Sequence, residues 1–209
     1  MNGRFALIAL LFLAACSLPI PALTPVATET TPPILESISA EEYAVYDAVL
    51  AAQKGHVGSG CEYITVYDKT GSAIAFLEPG SALYAITWKN LPGATQELAD
   101  NLLSANQKSA SLAPGLAFEV PFVLVSSEEY GSLLRDQGER ACQETVQKRY
   151  PSPKFQGWFR LSRVGFNRAM NKALVYMESF VCNGGGSLML LEKVAGRWRI
   201  VASTAAWLT

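Results

Sequence analysis

From residue 38 onward the hydrophobic positions follow two spacings, one of about 3.6 residues and one of two, and their order predicts helices early and a sheet late. Ser39-Ala40-Glu41-Glu42 has capping-box spacing, in which a serine oxygen and a glutamate satisfy backbone donors at a helix start. The helix this opens runs to Gln53, with Tyr43, Tyr46, Val49 and Leu50 on one face and Gly55 as the stop. Cys61 to Tyr67 and Ser72 to Leu77 read as two strands joined by an Asp68-Lys69-Thr70-Gly71 turn. Thr95 to Gln107 reads as a second helix, Phe118 to Val125 as a strand, and Ser126 to Arg149 as a helical stretch with a second capping spacing and a weak point at Gly138.

Beyond Gly157 the period becomes that of strands: Trp158 to Asn167, Lys172 to Cys182, Ser187 to Val194 and Trp198 to Leu208. Short connections at Asn183-Gly184-Gly185-Gly186 and Ala195-Gly196-Arg197 predict an antiparallel meander, its helices on one face. Leu188, Met189, Leu190 and Leu191 are apolar on both alternating sets, which predicts a strand buried on both faces. The fold class is therefore α+β, a curved C-terminal antiparallel sheet packed against N-terminal helices, and the element order resembles cystatin-like and NTF2-like folds.

Residues before the fold have another character. Phe5 to Ala15 are an unbroken apolar run behind Arg4, too short for a permanent membrane span of roughly 20 residues. The run ends in Leu13-Ala14-Ala15-Cys16, which resembles the lipobox of bacterial lipoproteins. That resemblance implies a signal peptide over residues 1–15 and a thioether-linked diacylglycerol on Cys16, often with an N-acyl chain such as palmitate, so that the membrane is a partner through the anchor. Ser17 does not resemble the aspartate that retains Gram-negative lipoproteins at the inner membrane. The remainder of residues 16–37 is a Pro/Thr-rich tether, leaving residues 38–209 as one α+β domain in an extracytoplasmic, envelope-bound position.

Half of the residues are hydrophobic and 17% charged, enough apolar surface for a folded core. Basic and acidic side chains number 17 and 18, and loss of the leader with Arg4 leaves 16 against 18, with no basic stripe to neutralise phosphates. Nucleic acid is thus excluded as the expected partner.

Candidate chemistry is sparse. In an oxidising compartment Cys61, Cys142 and Cys182 remain once Cys16 is lipidated; Cys61 and Cys182 stand at strand ends and form the first-choice disulfide, with Cys142 as a helical thiol. The sole histidine, His56, precedes Cys61 in a glycine-rich loop and could serve as its base, but such a loop does not force the two side chains to converge. Glu178 interrupts an apolar strand and is read as one half of an ion pair with an arginine such as Arg163 or Arg199, or else as a functional acid. Asp68-Lys69-Thr70-Gly71 superficially matches an aspartyl-phosphate motif and is better explained as a turn. No metal-ligand spacing occurs and no cofactor is expected.

Leu161-Ser162-Arg163-Val164-Gly165-Phe166-Asn167, Ala173-Leu174-Val175-Tyr176 and Leu190-Leu191-Glu192-Lys193 resemble a motif set of uncharacterised bacterial proteins, covering roughly the last fifty residues. That group often carries paired cysteines at the glycine-rich turn, where this chain has only Cys182. The expected function is a membrane-anchored binding module for an envelope protein or small ligand. Its alternative is a hydrolase-like extracytoplasmic enzyme using Glu178 or the His56 and Cys61 pair.

Overall fold

The computed structural model describes residues 37–54, 63–71, 88–112, 118–126, 128–129, 144, 148, 155–181 and 183–208. They form an α+β fold. Helix α1, Ala40–Lys54, opens as its sequence dictates: Ser39 Oγ accepts the Glu42 N–H at 3.2 Å and Glu42 Oε2 accepts the Ser39 N–H at 3.0 Å. Helix α2, Gln96–Ala105, is capped by Thr95, whose Oγ1 accepts the Leu98 N–H, and buries Leu98, Ala99, Leu102 and Leu103 along one stripe.

Among the described residues seven strands make one mixed sheet. In chain order they are β1, Tyr63–Tyr67; β2, Phe122–Val125; β3, Phe155–Leu161; β4, Gly165–Phe166; β5, Lys172–Val181; β6, Asn183–Val194; and β7, Arg197–Leu208. Their spatial order is β2-β1-β3-β5-β6-β7, with β4 beside β5. The meander expected at the C-terminus is present, since β5, β6 and β7 are successive antiparallel neighbours. The β6–β7 hairpin turns on Ala195 and Gly196, both at positive φ, as a two-residue turn matching strand twist requires.

Several local expectations are corrected. Both sides of β1 are occupied by parallel partners, β2 and β3, so Asp68-Lys69-Thr70-Gly71 is no hairpin turn back along β1. It runs on as an extended segment, Lys69 bridging Ser111, Thr70 N–H reaching Ala110 O at 2.8 Å and Gly71 N–H reaching Leu161 O at 2.9 Å. Residues 72–77 lie outside the described residues. The glycine run Gly184–Gly186 is no turn either: it belongs to β6 and pairs with Phe180, Ser179 and Glu178. In the Ser126 helical stretch the capping contact forms, Ser126 Oγ accepting the Glu129 N–H at 3.0 Å; most of the stretch beyond Glu129 is outside the described residues.

Helices also cover both faces of the sheet instead of one. Val175, Met177, Met189 and Leu191 pack with Val45, Tyr46, Val49 and Leu50 of α1, whereas Leu174, Tyr176, Leu188 and Leu190 pack with Leu98, Ala99 and Leu102 of α2. The two clusters follow the alternation of β5 and β6, so the four apolar residues Leu188–Leu191 are buried on both faces as their sequence predicted.

The expected strand from Trp158 to Asn167 is broken. Both β3 and β4 pair with β5, but Ser162, Arg163 and Val164 leave the ladder between them. A buried break must find other partners for its backbone; the Ser162 N–H keeps a backbone partner, Tyr176 O at 2.9 Å, and side chains serve the groups that follow. Asn106, at the end of α2, accepts the Arg163 N–H at 2.7 Å and donates to Arg163 O at 3.1 Å; Tyr46 Oη donates to Ser162 O at 2.9 Å. Burial keeps the Tyr46 hydroxyl protonated, well above its usual range, so it remains a donor. Arg163 then turns toward α1, its Nε 2.7 Å from Glu42 Oε1 and its Nη2 3.1 Å from Glu42 Oε2. Next to the break, Gly165 sits directly under α2: an added Cβ would meet Leu98 O at 2.6 Å and the Leu102 Cα at 2.7 Å.

Breaking a buried ion pair on one side strands the other charge, so Arg163→Met is expected to cost about 3–5 kcal/mol in urea unfolding. The double variant E42Q/R163M keeps the helix cap and is expected to be more stable than Arg163→Met alone. Burial raises the Glu42 carboxyl, but hydrogen bonds from Arg163, Ser39 and Val164 outweigh it and hold it below 4.5. The pair's contribution is therefore full above 4.5 and lost as pH falls through the lower folded value, a dependence that Arg163→Met should flatten. Gly165→Ala is expected to lower stability by about 1–3 kcal/mol, the overpacking range.

Candidate functional site

Glu178 is 2% exposed on β5, on the face of Tyr176 and opposite Arg160 in the β3 register. Tyr176 Oη donates to Glu178 Oε1 at 3.1 Å, and Arg160 Nη1 lies 3.6 Å from Oε2. The same guanidinium stacks over Tyr67 at 4.5 Å from the ring centre, and Tyr67 meets Trp158 edge to face. A cation thus lies between Glu178 and an aromatic ring, at ion-pair distance from Oε2 but beyond hydrogen-bond reach, which is the placement of a structural pair. Its partner is Arg160, not Arg163 or Arg199. The strand break explains the difference, because it carries Arg163 off to Glu42, whereas Arg199 is exposed on β7. Burial raises the Glu178 carboxyl, and Arg160 and Tyr176 only partly oppose it.

A different place on the surface is open. A groove of about 600 Å³ lies between α1 and the start of β7, within the size range of small-ligand sites, roughly 300–1,000 Å³. One wall is Ala44, Ala48, Ala51 and Ala52, a helical stripe beside the core stripe. The opposite wall is Gly196–Ile200, with Trp198 and Ile200 also packed into the core under α1. Asp47 and Glu119 add acidic groups, and Asp47 Oδ1 fixes the loop by accepting the Glu119 N–H at 2.8 Å.

The two walls are joined beside the groove. Glu41 accepts from Lys193 Nζ at 2.7 Å and from Trp198 Nε1 at 3.0 Å, tying the first turn of α1 to the β6–β7 hairpin. These two hydrogen bonds hold the Glu41 carboxyl below its usual range. Arg197 and Arg199 are exposed along β7, and among the described residues neither has a carboxylate partner; Glu192, opposite Arg199, pairs with Lys172 at 2.8 Å. Sequence reasoning missed this groove, though the alanines at 44, 48, 51 and 52 repeat with helical period and were the available signal.

Cys16, His56, Cys61, Cys142 and Cys182 lie outside the described residues, and with them the Cys61–Cys182 disulfide and the His56 and Cys61 pair. Among the described residues no three His, Cys, Asp or Glu side chains gather where they could hold a metal ion. No described helix is long and apolar enough to cross a membrane. No protein-family model, curated protein or solved structure matches this chain.

A carboxyl raised by burial contributes stability below 4.5 and loses it as pH rises through the folded value. Glu178→Gln is therefore expected to gain stability relative to the parent as pH goes from about 4 to about 8, read as a rising difference in urea midpoint, and to keep the fold. A difference that falls over that range contradicts the raised carboxyl.

Proposed function

We propose that the chain is a bacterial lipoprotein, anchored on the extracytoplasmic side through Cys16, whose folded part binds a partner in the groove between α1 and β7. The observation that carries this reading is the order of features along the chain. An apolar leader ends in Leu13-Ala14-Ala15-Cys16, a proline-rich tether comes next, and the folded unit presents an open groove. One acyl chain binds membranes only marginally and two or more hold stably, so a lipidated Cys16 fixes the location without help from the rest of the chain. The groove lining combines apolar groups, the four alanines with Trp198 and Ile200, and charged ones, Asp47, Glu119, Arg197 and Arg199, a mixture by which binding sites combine affinity with orientation.

The hydrolase-like alternative draws on Glu178 or on His56 with Cys61. Engagement of Glu178 by Arg160 and Tyr176 favours the binding reading over that acid.

Two measurements test the proposal. Cells fed an alkyne analogue of palmitate should label the wild-type chain and not Cys16→Ser; an unlabelled wild-type chain that retains Met1 contradicts the anchor. A photo-crosslinking residue at exposed Ala44 should give a discrete adduct in intact cells, while the same residue at exposed Val123 on β2, outside the groove lining, should give none. Identical patterns from the two positions contradict the groove.

A further inference from the structure

We infer that the groove takes an extended peptide as an added strand along β7, and that this peptide alternates acidic and apolar side chains. The inference rests on the binding-module reading and names the ligand class of that same groove.

Among the described residues β7 is an edge strand, so one row of its backbone donors and acceptors faces outward. The groove lining shows that this row is part of the site. Arg197, Trp198, Arg199 and Ile200 are consecutive, yet successive strand side chains point to opposite faces. All four can border one groove only if the backbone edge itself forms the wall.

The stretch available for pairing is bounded. Arg197 to Ile200 pair in regular register with Val194 to Leu191, and the register shifts at the next residue, Val201, which is 49% exposed. A bulge there ends the straight edge, as bulges on natural edge strands do. On the helix side, alanines leave room for a further strand where longer side chains would fill the space.

Period two then fixes the chemistry of the guest. One set of its side chains would lie over Trp198 and Ile200 beside the alanine stripe, a surface that favours apolar groups. Asp47 and Glu119 at the same groove repel acidic groups from that set. The other set would stand beside Arg197 and Arg199, exposed and two residues apart, where carboxylates at the same spacing meet both guanidiniums. An acidic and apolar alternation satisfies both faces, while a basic alternation is repelled on one.

The test uses the purified full-length protein in detergent and fluorescein-labelled octapeptide pools, read by fluorescence anisotropy. One pool alternates Glu with Val, Leu, Ile or Phe, a second alternates Lys with the same residues, and a third repeats the first with every backbone nitrogen methylated, which blocks both edges of the strand. The Glu pool is expected to bind at least tenfold more tightly than the Lys pool, and methylation to abolish binding. Charge reversal at the two exposed arginines, R197E/R199E, is expected to invert the preference. Equal binding of the Glu and Lys pools, undiminished binding of the methylated pool, or no binding by any pool overturns the inference. If it is overturned while the Ala44 crosslink persists, the groove binds something else and the binding-module reading stands; loss of both removes both.

Discussion

A strand that breaks inside a core leaves peptide groups with neither a ladder partner nor water, and this constraint shapes the rest of the molecule. At Ser162, Arg163 and Val164 the broken strand is served by groups from three directions: Tyr46 and Glu42 from α1, Asn106 from the end of α2, and Tyr176 on the neighbouring strand. Both helices are therefore referenced to one short segment of the sheet. Glu42 is central because it acts twice, closing the cap on Ser39 and neutralising Arg163. A buried pair of this kind contributes little net stability, but it forbids alternatives, since any shift of α1 along the sheet would strand a charge.

The consequence for the surface is one of placement. With α1 fixed over β3, β5 and β6, its core stripe is consumed by Val45, Tyr46, Val49 and Leu50, and the adjoining alanines are left facing the first residues of β7. The contact of Glu41 with Lys193 and Trp198 ties the two walls together at one end. The groove is thus a product of the same registration that satisfies the broken strand.

Local features were legible in the sequence to the extent that their causes are local. The capping box at Ser39, the stripe of α2, the β6–β7 turn and the double-faced burial of Leu188–Leu191 all depend on residues a few positions apart. The second role of Glu42 was not legible because its partner is 121 residues away. The parallel placement of β1 between β2 and β3 was hidden for the same reason, and it turned an apparent Asp-Lys-Thr-Gly hairpin into an extended crossing. Gly184–Gly186 misled because glycine signals a turn in isolation, whereas here it lies along β6 beside Glu178. The motif from Leu161 to Asn167 was visible as a pattern. Its meaning, a strand break with Gly165 pressed against α2 and Asn167 closing the next turn, is structural.

Amide hydrogen exchange at Arg163 in increasing urea is the sharpest probe of this arrangement, because that amide belongs to no strand and owes its protection to Asn106 and the surrounding network. If the broken strand is the reference point of the fold, the Arg163 amide exchanges only through global unfolding, with the same urea dependence as the central residues of β5 and β6. Rapid exchange that is insensitive to urea would mean that the segment opens locally, and that the two helices are positioned by something else.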